Sequence, residues 1–164
     1  MPIVLGNNEI SGVSSILDSG GTTAVNISAS GSVSYPQRPY TTGILYGPAG
    51  GGDAVTYNSE DSRGISFNSS NGRFTVPVDG LYHISWSGIC GTSSSDSGRR
   101  DLRIRVNGST VAETLSPDNG QGYKKRLATY CYYLTTGDYV TINAQSFYQA
   151  GNSGWARFSM VLIG

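Results

Sequence analysis

Phe74-Thr75-Val76-Pro77-Val78-Asp79-Gly80-Leu81-Tyr82-His83-Ile84-Ser85-Trp86 reads as strand, turn, strand. A proline is tolerated only at strand edges and turns, so the first strand ends at Pro77. Asp79-Gly80 then supplies a turn. From Leu81 the chain alternates, placing Tyr82, Ile84 and Trp86 on one face and His83, Ser85 and Ser87 on the other.

The same grammar extends outward from this stretch. Leu102, Ile104 and Val106 alternate with Arg103 and Arg105, and Asn107-Gly108 makes a hairpin turn of the favoured type before Val111 continues on the far side. Residues 127–134 form a long aromatic strand, Thr136-Gly137-Asp138 turns it, and residues 139–144 follow. The last run, residues 155–163, sets Phe158, Met160 and Leu162 against Val161 and Ile163. A strand that is apolar on both faces belongs between layers, as core plus interface or as two packed sheets. No segment carries a 3.6-residue period, so the expected fold is all-β, an antiparallel sandwich.

Composition agrees with one domain of this kind. The chain has 164 residues, with 23 Gly and 11 Tyr, and helix-forming stretches are missing. Charged residues are 13%, with acids and bases balanced at 11 each, so there is no basic excess to bind nucleic acid. No apolar run is long enough for a membrane-spanning helix. Met1-Pro2-Ile3-Val4-Leu5 lacks the marks of a secretory signal, which predicts synthesis in a cytoplasm. Cys90 and Cys131 each fall in a strand-like run and read as buried free thiols.

Residues 1–40 differ from the rest. Their only charges are Glu9, Asp18 and Arg38, and short apolar patches alternate with turn residues. They read as an extended N-terminal arm with one or two short strands, made to lie against another surface and able to reach at most about 130 Å. No heptad or triple-helical repeat occurs there, so no shaft is expected. Pro36, Pro39 and Gly47-Pro48-Ala49-Gly50-Gly51-Gly52 mark the passage into a head of residues 41–164. Those glycines lack a following Lys-Ser/Thr and read as a flexible loop, not a phosphate cradle.

The quoted stretch, with its aromatic, its Val-Asp-Gly turn and its Tyr two residues on, resembles the complement-globular-head and tumour-necrosis-factor superfamily of jelly rolls. Ile65-Ser66-Phe67-Asn68, Arg103-Ile104-Arg105-Val106-Asn107-Gly108, Leu134-Thr135-Thr136-Gly137-Asp138-Tyr139-Val140 and Phe158-Ser159-Met160-Val161-Leu162-Ile163 are similar to further strands of that superfamily, in order. The resemblance runs from Val55 to Gly164. Ile84 and Trp86 stand where complement heads carry Phe and Phe or Tyr, and no collagen segment precedes the head. The opening residues 1–13 are instead similar to the starts of many bacteriophage tail-fibre and virion-surface proteins.

The resemblance implies a homotrimeric jelly-roll sandwich whose subunits bury an aromatic sheet face along a threefold axis. Tyr130 and Tyr132 share one face of the aromatic strand, and with Tyr82 and Phe158 they are the candidate trimer contacts; packing inside one subunit is the alternative. Ile3, Val4, Leu5, Ile10, Val13, Ile16 and Leu17 of the arm are the candidate capsid-attachment residues. Arg99, Arg100, Tyr123, Lys124, Tyr148 and Trp155 lie in polar, glycine-rich loops suited to stacking on a glycan or touching a protein.

Catalysis finds no constellation. His83 is the single histidine, the serines show no nucleophile elbow, and no acidic pair stands out. One histidine and two strand cysteines do not make a zinc site, and Asp96, Asp101 and Asp118 read as turn acids before calcium ligands. The sequence therefore predicts no enzyme and no cofactor. It predicts a bacteriophage structural protein on the virion surface, a trimeric capsid decoration (cement) protein held to the major capsid protein or another virion protein by its arm. The alternative is the receptor-binding head of a tail fibre or tailspike, holding host surface glycan.

Overall fold

The computed structural model describes residues 15–17, 21, 23–30, 32–35, 37–48, 51–90, 101–114, 124–145, 147 and 156–164. Every regular element among them is a strand, and every strand pairing is antiparallel. The chain divides into two compact units, Met1–Arg38 and Pro39–Gly164.

The first unit holds a three-stranded sheet of β1 (Ser15–Leu17), β2 (Thr23–Ile27) and β3 (Val33–Ser34). A turn closed by Ser28 N–H donating to the Ser32 carbonyl at 2.8 Å links β2 to β3. This is more order than an extended arm with one or two strands. Strands this short are marginal alone, and pairing three of them satisfies their backbone groups.

The second unit contains two sheets. One has the order β12–β9–β14–β4–β6, from β12 (Lys124–Leu134), β9 (Gly80–Cys90), β14 (Arg157–Leu162), β4 (Tyr40–Tyr46) and β6 (Thr56–Arg63). The other has the order β11–β10–β13–β8–β7, from β11 (Ser109–Thr114), β10 (Leu102–Val106), β13 (Tyr139–Ala144), β8 (Arg73–Thr75) and β7 (Ser66–Asn68), with β5 (Gly52–Asp53) also on β13.

Alternation builds the core between them. Tyr82, Ile84 and Trp86 of β9, Phe158 and Met160 of β14, Leu102 and Ile104 of β10, and Val140 and Ile142 of β13 are all buried. Aromatic rings tie the sheets together: Tyr57 of β6 meets Phe74 of β8 edge-on with centroids 4.9 Å apart. Trp86 turns its indole N–H to the Leu45 carbonyl at 2.8 Å, so the largest core side chain leaves no unpaired donor.

The turn residues of the sequence converge at one end of the sandwich. Asn107 and Gly108 both take positive φ, 50° and 83°, as the two-residue hairpin between β10 and β11 requires. The Asn107 amide donates to Asp138 Oδ1 at 2.7 Å, and Asp138 Oδ2 accepts from the Thr135 N–H at 2.8 Å. Asp79 Oδ1 accepts from both the N–H and the hydroxyl of Thr136, at 2.7 and 2.8 Å. Three turns far apart in sequence are thus stitched into one polar clasp. Gly80 is needed beside it for space, since a Cβ there would collide with Leu162 and the Gly164 carbonyl.

Two expectations change. Gly51 is packed and not loose: its N–H donates to the Pro48 carbonyl at 3.0 Å, and a Cβ on it would strike the Gln145 carbonyl. Cys131 is an exposed free thiol, because β12 is an edge strand and its odd positions face away from the core.

Candidate functional site

The five-stranded sheet ends at β12, whose strand partner is β9 throughout its length. Edge strands are commonly guarded by charge or proline. β12 carries charge only at its start, Lys124, Lys125 and Arg126, and residues 127–134 contain neither charge nor proline. Ala128 and Leu134 point inward and are buried, yet Tyr130 and Tyr132, on the same side of the strand, remain 41% and 36% exposed. Their rings lie with centroids 6.0 Å apart, tilted by 37°. The opposite side carries Leu127 and Tyr133, 56% and 61% exposed, with Cys131 between them. The edge therefore offers bulky, uncharged side chains on both faces, the composition of an interaction surface.

Tyr82 and Phe158 do not join that surface. They are 0% and 1% exposed within the sandwich, so their side chains build the core. Burial raises the Tyr82 hydroxyl above the ordinary tyrosine range, and its O–H donates to the Val78 carbonyl at 2.9 Å.

Beyond β12 the outer face of the same sheet is a small polar seam. Cys131 sits opposite His83, and His83 opposite Val161. His83 Nε2 and Thr129 Oγ1 share a hydrogen bond of 2.9 Å. Farther across, the Tyr40 hydroxyl donates to Asp61 at 2.8 Å, which raises its pKa above the ordinary tyrosine value. Arg157 of β14 pairs with Glu60 of β6.

The outer face of the other sheet carries a groove of about 410 Å³. Arg105 of β10, Tyr139 and Thr141 of β13, Arg73 of β8 and Asp53 of β5 line it. Each lies at an outward position beside an inward apolar neighbour, so the alternation that fills the core also fills the groove with polar groups. Ser70 and Asn71, from the turn between β7 and β8, also line it. Asp53 Oδ1 accepts from the Asn143 amide at 2.7 Å and from Arg105 at 3.4 Å. The Arg73 guanidinium lies over the Tyr139 ring, 3.9 Å from its centroid.

Of the attachment residues expected in the first unit, Ile16 and Leu17 lie on β1 and are both more than half exposed. Ile3, Val4, Leu5, Ile10 and Val13 fall outside the described residues. So do Arg99, Arg100, Tyr123, Tyr148 and Trp155 of the loops, while Lys124 opens β12. Asp101 is buried and pairs with Arg103 at 3.1 Å, a structural use of that acid. Among the described residues no cluster of His, Cys, Asp and Glu is placed to hold a metal ion.

The groove residues went unread in the sequence. Asp53, Arg73, Arg105 and Tyr139 come from four strands, and no local spacing links them.

No protein-family model matches the chain, and no curated protein sequence matches it.

Proposed function

We propose that the chain is a non-enzymatic virion structural protein of a bacteriophage, a jelly-roll head that assembles as a homotrimer and decorates the capsid surface through its first forty residues. The observation that carries the reading is the uncharged aromatic stretch of β12, residues 127–134. A sandwich that exposes Tyr130, Tyr132, Tyr133 and Leu127 along one edge strand, beyond the cations Lys124, Lys125 and Arg126 that open it, has a surface suited to burial against copies of itself. Strand order supports the jelly roll. Numbered along the chain, β4, β8, β9, β10, β11, β12, β13 and β14 fall as first–eighth–third–sixth in one sheet and second–seventh–fourth–fifth in the other. That winding interleaves the two sheets as a jelly roll does.

The attachment role of the first unit rests on the likeness of residues 1–13 to virion-surface proteins and on the exposed Ile16 and Leu17 of β1. A closed trimer would fit a threefold or quasi-threefold site on a shell. Antibody raised against the head should label particles evenly over the shell by immunogold microscopy. Deleting residues 1–34 should abolish attachment and leave the trimer intact. A truncated head that still decorates capsids contradicts this assignment of the arm.

The groove beside Arg73 and Arg105 favours a second reading, in which the head is a receptor-binding tip holding host glycan. Label confined to the tail would select it.

A further inference from the structure

We infer that the groove on the outer face of the six-stranded sheet is a binding site for a carboxylate-bearing sugar, such as a uronic acid unit of an acidic polysaccharide. The inference deepens the receptor-binding reading but rests on the groove's own chemistry.

Two guanidinium groups and one carboxylate, Arg73, Arg105 and Asp53, line the same groove. Asp53 occupies Arg105 only loosely, at 3.4 Å, and spends its closer contact on Asn143 at 2.7 Å. Arg105 Nε is buried with no hydrogen-bond partner. Arg73 pairs with no carboxylate among the described residues; its partner is the π face of Tyr139. A guanidinium held over a ring spends its contact on the π face and not on a hydrogen-bond acceptor, so its N–H donors can meet a planar carboxylate. Such pre-ordering lowers the entropy lost on binding.

The rest of the lining sets the ligand class. Thr141 is buried at the groove despite its outward position, and Ser70 and Asn71 add short polar side chains. Asp53, already paired with Arg105, supplies an acceptor for sugar hydroxyls. A volume of about 410 Å³ exceeds what an inorganic anion needs and falls in the range of small-molecule sites. Hydroxyl recognition and carboxylate recognition in one open polar groove match an acidic saccharide.

The test titrates the full chain with methyl β-D-glucuronide, its neutral methyl ester and inorganic phosphate, following backbone amide shifts by NMR. The glucuronide should shift Gly108, Tyr139 and Thr141 saturably, with the ester and phosphate at least tenfold weaker. Arg73→Gln, at an exposed side chain, should weaken glucuronide binding at least tenfold with an otherwise unchanged spectrum. Arg63→Gln, on the other sheet, should bind as the parent does. Equal binding of ester and glucuronide, tighter binding of phosphate, shifts mapping elsewhere, or no binding by the well-folded chain would each overturn the site. The last result would leave the proposed virion role untouched.

Discussion

Phe74 of β8 stacks on Phe158 of β14, with ring centroids 4.3 Å apart and planes 25° from parallel. One ring comes from each sheet, so this pair is a direct seam of the sandwich. Tyr57 and Phe67 close around it edge-on and tilted. Replacing Phe158 with Ala should cost about 3–5 kcal/mol, the lost transfer energy plus the cavity left behind. Urea unfolding at pH 7 measures it. A loss under about 1 kcal/mol would mean the site collapses freely and the seam is not structural.

Trp86 is buried with its indole N–H on the Leu45 carbonyl. Trp86→Phe keeps an aromatic ring but removes the donor, leaving a buried carbonyl without that partner. The expected cost is about 1–3 kcal/mol beyond the change in volume. Trp86→Leu should cost more. Equal stability of Trp86→Phe and the parent would remove the hydrogen bond from the account.

Acid should loosen the turn clasp. The Thr136 N–H and hydroxyl hold the Asp79 carboxyl below its usual range, and the Asn107 amide with Thr135 does the same for Asp138. A carboxyl whose folded pKa is depressed leaves the unfolded chain binding more protons, so stability rises with pH across that interval. The contribution is whole above the unfolded pKa of about 3.9 and is lost as pH falls through the folded value. Asp138→Asn should be less stable at pH 7 and should flatten the acid limb of stability against pH. An unchanged limb would contradict the role given to Asp138.

Tyr130 and Tyr132 are each more than a third exposed at the β12 edge. The double change Tyr130→Ser with Tyr132→Ser should leave the single subunit folded, with far-ultraviolet dichroism like the parent's, and should release it as a monomer. A double variant that sediments as the parent does would move the subunit contact away from these rings.

What the sequence made legible was local. Tyr82, Ile84 and Trp86, the Asn107-Gly108 hairpin and the alternation of β10 and β13 all declare themselves within a few residues. β4 did not. Its buried positions are Thr41, Gly43 and Leu45, while the alternate Ile44 and Tyr46 are only partly buried, so polar and small residues take inward places that apolar-in alternation gives to large ones. Thr41 is accommodated because its hydroxyl meets that of Tyr57 at 2.6 Å. Cys131 was misread for a related reason: thiols favour interiors, but being at a sheet edge is decided by strands distant in sequence. Phe158 looked available for an interface because its strand is apolar on both faces, and only the stacking of Phe74 against it places it inside. The groove was invisible because its charges meet only after the sheet forms.

Sedimentation equilibrium of the full chain at micromolar concentration separates a trimer from a monomer. A trimer joined through β12 sediments at three times the 17.3 kDa chain mass and persists on tenfold dilution. A stable monomer of 17.3 kDa across that range would contradict it, and the exposed tyrosines of β12 would then need another partner.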